Sequence, residues 1–130
     1  MDFYLKEGGV RTKLAYGELD ISGNEDYGYR PFQLMVASIV GCSASVFRKI
    51  LEKKRIKIDD LKIEVEVNRN PDQANRIESL HLNYIVKGYQ LNNERLEKSL
   101  EIARKNCSMI RTIEDSVKIT ESLDIIPLNK

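Results

Sequence analysis

Histidine and cysteine are scarce in this sequence. One histidine, His81, and two cysteines, Cys42 and Cys107, stand among 130 residues. Neither cysteine belongs to a C-x-x-C pair and His81 has no partner histidine, so a zinc site of the usual kind is not expected. Excess charge of one sign is missing too. The 21 Lys and Arg nearly cancel the 20 Asp and Glu, and a net charge of +1 gives no pull toward nucleic acid or an anionic membrane. Internal repeats and low-complexity stretches are absent. One apolar run stands out: residues 34–47 carry no charge, yet fall short of the roughly 20 apolar residues that a bilayer span needs. The opening MDFYLKEGG has charges at Asp2, Lys6 and Glu7 and lacks the apolar stretch of a signal peptide, which predicts a cytoplasmic protein. In that compartment, two cysteines are more often free or redox-active than bridged.

What is present reads as a folded chain. Hydrophobic residues make up 42% and charged residues 32%, the balance of a globular protein, and the length fits a single domain over 1–130. Val10, Thr12, Leu14 and Tyr16 alternate with polar neighbours, and Leu19 and Ile21 continue after Gly17. This predicts a small antiparallel meander, followed by the polar loop SGNEDYGYR (22–30). Pro31 suits a first helical turn, and the helix it opens should reach about Lys54. Its first half is apolar or small on every side, as in a buried helix. Leu61, Ile63, Val65 and Val67 alternate as a strand, 68–76 turns, and Leu80, Leu82, Tyr84 and Val86 alternate back. A helix opens near Asn92-Asn93, good capping residues, with Leu96, Leu100 and Ala103 as its inner stripe. A short helix over 107–116 and a strand through Val117, Ile119, Leu123 and Ile125 close the chain. Strands and helices are partly segregated, so the fold class is α+β. A helix apolar all round needs cover on all sides, and one small sheet covers one side, which points to a dimer.

Cys42 lies in the middle of the uncharged run. A free cysteine in a core is most often a small hydrophobe. Cys107 follows Asn106 at the start of a short helix, where the helix's positive end favours a thiolate.

Pro31 followed eleven residues later by Cys42, within PFQLMVASIVGC, resembles the central-helix signature of the OsmC/Ohr family. CSMIRTIEDSVKI, opening at Cys107, resembles the family's second motif, a cysteine that begins a short helix before a strand. The separation of 65 positions and the order of elements also resemble the family. The resemblance implies an OsmC-like fold, with antiparallel sheets around a long buried central helix, in an intertwined homodimer. It implies reduction of organic hydroperoxides, with Cys42 as the peroxidatic and Cys107 as the resolving cysteine. An external dithiol would restore the pair, with no cofactor and no metal, and the substrate would be a small lipophilic peroxide.

The peroxidase members of that family activate the first thiol with an arginine, held by a glutamate directly after the helix-opening proline. Here that position is Phe32, and Gln33 comes next. Arg11 and Arg30 are the candidate cations. Tyr29, Phe32 and Gln33, with Tyr27 nearby, are the candidate wall of a substrate pocket. The alternative is a non-peroxidatic dimer that binds a small apolar ligand with its thiols idle. The charged runs around residues 48–55 and 93–105 are read as solvated helix faces, with Glu94 and Lys98 paired.

Overall fold

A computed structural model describes residues 1–129. The chain packs as two compact units, Met1–Ser38 and Ile39–Lys130. The long helix α1, Pro31–Lys53, begins in the first and continues into the second.

The N-terminal unit is the expected meander. Strands β1 (Phe3–Lys6), β2 (Gly9–Lys13) and β3 (Glu18–Ile21) pair antiparallel in that order. Gly8 turns the first corner at φ +75°, and a Cβ there would strike the Tyr27 ring. The second strand stops at Lys13 rather than continuing to Tyr16, because Leu14 and Gly17 exchange both backbone hydrogen bonds and close a two-residue hairpin. Arg11 and Asp20 face each other across β2 and β3. The loop over 22–30 is tied back by Ser22 Oγ, which donates to the Gly8 carbonyl, and by the Tyr29 amide, which donates to the Asp20 carbonyl.

The C-terminal unit holds the rest of α1 and a second sheet. Strands β4 (Asp60–Asn70) and β5 (Arg76–Gly88) form the expected hairpin, joined by a short 3-10 turn at Pro71–Gln73. Helices α2 (Asn93–Asn106) and α3 (Ser108–Ile113) follow, and β6 (Lys118–Pro127) ends the sheet. Asn92 caps α2 by accepting from the Arg95 amide, as its side chain predicts. The expectation of antiparallel sheets needs one correction: β6 pairs parallel to β5. The path through α2 and α3 returns β6 to the same end of the sheet, as in a βαβ crossover.

The core of this unit is a sandwich of one sheet face and the helices. Leu80, Leu82, Tyr84 and Val86 of β5 are buried, and the residues between them face outward. On α1 the buried residues are Ile39, Ser43, Phe47 and Leu51, a strict every-fourth stripe. On α2 they are Leu96, Ser99, Leu100 and Ala103. Each fully buried Leu or Phe contributes about 1.5–3 kcal/mol by leaving water. Within one chain, α1 is therefore buried along one side only. Its 18-residue apolar stretch has a mean hydropathy of 1.6 and is 22% buried; by length and composition alone it could cross a membrane. His81 lies on the outer sheet face, where Nδ1 meets Thr120 Oγ1 at 2.6 Å and Nε2 meets Ser122 Oγ at 2.9 Å. Both ring nitrogens are thus engaged in a ladder that ties β5 to β6.

Candidate active site

The site assembles where α1, the α2–α3 joint and the inner face of the sheet meet, all within the C-terminal unit. Cys42 projects from α1 and is half-buried; Cys107 caps the short helix α3 and is fully buried. Both are free thiols. The structure places them near one another: Cys42 Sγ lies 3.6 Å from the Oγ of Ser108, the residue after Cys107.

Their environments push their acidities apart. The Cys42 thiol is held below the usual cysteine range, chiefly by the Met109 backbone N–H. Burial opposes this, and the Cys107 thiol, the Ser108 hydroxyl and the Ser108 N–H add to the lowering. Ser108 Oγ lies 3.6 Å from Cys42 Sγ. Cys107 goes the other way. Burial pushes its thiol up to about 11, and the neighbouring Cys42 adds to the rise. The two thiols thus differ in acidity, and Cys42 is the more acidic.

A second layer backs the thiols. Ser43, next to Cys42, is buried and hydrogen-bonded to the Tyr84 hydroxyl. Phe47, one turn further along α1, packs edge-on against the Tyr84 ring with centroids 5.4 Å apart at 74°. Burial raises the Tyr84 phenol well above the usual tyrosine range, and the charges of Glu121, Cys107 and Cys42 push the same way. Glu121 stands on the inner face of β6, where burial raises its carboxyl to about 7 against a weaker opposing pull from Arg104.

Glu121 makes stability depend on pH. Its folded-state value lies above the ordinary glutamate value, so the folded state holds the proton more tightly than the unfolded chain. The stabilisation is complete below about pH 4.5 and is lost as pH rises through about 7. Glu121→Gln is therefore expected to unfold later in denaturant than the wild type at pH 8, by about 2 kcal/mol once partial solvation is allowed for. The difference should shrink toward pH 5. Equal pH profiles of the denaturation midpoint would count against this placement of Glu121.

The remaining candidates lie in the N-terminal unit. Arg11 is engaged by carboxylates: its Nε lies 2.6 Å from Asp20 Oδ1 and 3.4 Å from Glu18 Oε2. That contact with Arg11 holds Asp20 down at about 2. Arg30 stacks over Phe32, 4.8 Å from the ring centroid. Gln33 and Tyr29 line a cavity of about 490 Å³ with Lys6, Asp20 and Tyr27. Ser108, the Met109 amide, Ser43 and Glu121 were not singled out by sequence. Among the described residues, no three His, Cys, Asp or Glu side chains gather as a metal-ligand set.

A long helix, a mixed sheet and two free cysteines of opposed acidity near one another define a two-cysteine α+β protein. The chain matches the OsmC-like protein family over residues 23–122 and belongs to that family. It is similar to protein YhfA of Escherichia coli strain K12, with 26% identity over 108 residues, 82% of this chain and 81% of that one. Its fold is similar to that of a hypothetical protein from Aquifex aeolicus, with a TM-score of 0.87 and 22% identity over 98% of this chain and 96% of that one. An organic hydroperoxide resistance protein OsmC from Legionella pneumophila has the same fold, with a TM-score of 0.73 and 18% identity over 95% of this chain and 93% of that one.

Proposed function

We propose that this chain is a dithiol peroxidase that reduces organic hydroperoxides. The observation that carries the reading is the nearness of the two free cysteines, with Cys42 Sγ 3.6 Å from the Oγ of Ser108 beside Cys107, and with Cys42 the more acidic thiol. The hydroperoxide-resistance name of the Legionella relative supports the substrate class. The Cys42 thiolate attacks the outer peroxide oxygen, the O–O bond breaks, and the departing alkoxide takes a proton to leave as the alcohol. Cys42 is then a sulfenic acid. Cys107 displaces its hydroxyl as water, a disulfide forms, and an external dithiol restores both thiols by exchange. The amides and hydroxyl at 108–109 supply the support for the thiolate that Phe32, standing at the family's glutamate position, cannot.

The test is consumption of cumene hydroperoxide by the purified protein with dithiothreitol as reductant. Turnover faster with cumene hydroperoxide than with hydrogen peroxide is expected. If the wild type consumes neither, the chain is the alternative, a ligand-binding dimer with idle thiols.

The functional unit in this reading is a homodimer. Met35 on α1 is exposed, and the first strand leaves Phe3, Tyr4 and Leu5 exposed. That much apolar surface calls for a cover, and a second copy supplies it. Sedimentation should return twice the 15.0 kDa chain mass; a single-chain mass at micromolar concentration would sink the dimer.

A further inference from the structure

The end of α1 collects charge that the rest of the chain balances. Six basic residues and one acid, Glu52, fall within positions 48–58, in a chain whose net charge is +1. Elsewhere ion pairs close: Lys6 and Arg11 on Asp20, Arg76 on Glu78, Lys98 on Glu94 and Arg111 on Glu114. Among the described residues, Arg48, Arg55 and Lys57 close on no carboxylate. These three are exposed and line a cavity of about 350 Å³ together with Leu51, which is buried, and Ile56 and Ile58, which are half-buried. Glu52 is the one acid in the lining. The cavity is built on a fixed turn. The Ile56 amide donates to the Leu51 carbonyl and the Arg55 amide to the Glu52 carbonyl, the pattern that ends a helix on a left-handed residue. That residue is Arg55, at φ +56°. Glycine takes this conformation freely, so an arginine here strains the turn, and what it adds is a guanidinium. The other carbonyls at the helix end are engaged too. Ile50 accepts from the Lys54 amide, and Lys54 accepts from Arg95 Nη2 of α2 at 3.3 Å. The negative end of the helix is thereby largely satisfied and opposes an anion little.

We propose that this cavity binds an amphipathic carboxylate. Its head lies among Arg48, Arg55 and Lys57, and its aliphatic body covers Leu51, Ile56 and Ile58. A guanidinium fork matches a carboxylate with two parallel hydrogen bonds, and the lysine adds a mobile point charge. The volume is that of a small-ligand cleft, and an apolar lining with a few convergent polar groups is the usual composition of one. Both halves of the site are needed. A bare anion gains nothing from the isoleucines, and a neutral chain gains nothing from the cations. Neither Cys42 nor Cys107 lines this cavity, so the inference stands apart from the dithiol reading.

The test is calorimetric titration of the full chain near neutral pH, in a buffer free of carboxylate and phosphate. The probes are octanoate, acetate, inorganic phosphate and 1-octanol. Octanoate should bind at least roughly tenfold tighter than each of the others. Its binding should weaken as salt rises from about 0.05 M to about 0.5 M. Arg55→Gly relieves the left-handed turn while it removes the guanidinium. It should unfold at an equal or higher denaturant concentration than the wild type, yet bind octanoate at least roughly tenfold more weakly. The double variant Arg48→Gln, Lys57→Gln leaves the turn untouched and should lose binding to a similar degree. Lys49→Gln removes a charge from the same helix end, but Lys49 lines a different cavity, and this variant should bind as the wild type does. Absence of octanoate binding at millimolar concentration would overturn the proposal. So would wild-type binding in either of the charge-removed site variants, an equal loss in Lys49→Gln, or phosphate or 1-octanol bound as tightly as octanoate. A denaturation midpoint lowered in Arg55→Gly would overturn it as well, by giving the arginine a structural role.

Discussion

Cys42→Ser is expected to remove hydroperoxide consumption completely, a loss of at least about a thousandfold measured against the wild type by stopped-flow. The reason is the ionised nucleophile. The Cys42 thiol, held below the usual cysteine range by the Met109 amide and by Ser108, gives up its proton far more readily than a serine hydroxyl in the same place. The substitution is small, and Cys42 is half-buried at the edge of the core, so the circular dichroism spectrum should not change. Cys107→Ser separates the two halves of the cycle. One equivalent of peroxide should still be consumed, then turnover should stop as Cys42 accumulates as sulfenic acid and climbs to higher oxides. A Cys42→Ser protein that still turned over would move the chemistry to another group.

Phe47→Ala should produce the largest loss of stability, about 3–5 kcal/mol in denaturant unfolding, with the midpoint falling and the slope unchanged. Phe47 is wholly buried, and its ring fixes Tyr84 edge-on at 5.4 Å. Removing it leaves a void between α1 and the sheet and frees the phenol that Ser43 holds. Against the roughly 5–15 kcal/mol that a domain of ordinary stability possesses, such a loss is severe. Phe47→Leu, which refills most of the volume, should cost under about 1.5 kcal/mol and separate packing from shape. A loss below about 1 kcal/mol in Phe47→Ala would mean that this part of the core relaxes freely.

Much of this architecture is legible in the sequence, for reasons of period. Period-two runs place β4, β5 and β6, whereas the inner stripe of α1, Ile39, Ser43, Phe47 and Leu51, shows only in the structure, because the first half of the helix is apolar or small on every side. Asn92 announces its helix because its side chain does the capping. Alternation cannot say which strand a neighbour is or which way it runs, so the parallel pairing of β6 could not be read. That Cys42 and Cys107 fit one family signature was readable from their spacing, but the lowering of the Cys42 thiol was not. Its main support is the Met109 backbone N–H, and an amide has no residue identity for a sequence to display. Arg11 looked like the activating cation because a charge is visible in a sequence; its salt-bridge partners Asp20 and Glu18 become evident only once β2 and β3 are paired. Glu121 did leave a trace: in Val117, Ile119, Glu121, Leu123, Ile125, one inward position is an acid where the pattern calls for an apolar residue.

The parallel placement of β6 also sets an order of events. The hairpin of β4 and β5 joins residues close in sequence and can form early, whereas the contact of Cys42 with Ser108 spans 66 positions. A chain growing from its N-terminus exposes Cys42 long before the α2–α3 joint exists, and the crossover is secured only when the final strand seats beside β5. The surroundings of Cys42 are thereby coupled to completion of the fold: a nascent or truncated chain contains both sulfurs' neighbourhoods only in part, and the juncture of Cys42 with Ser108 is among the last features to mature.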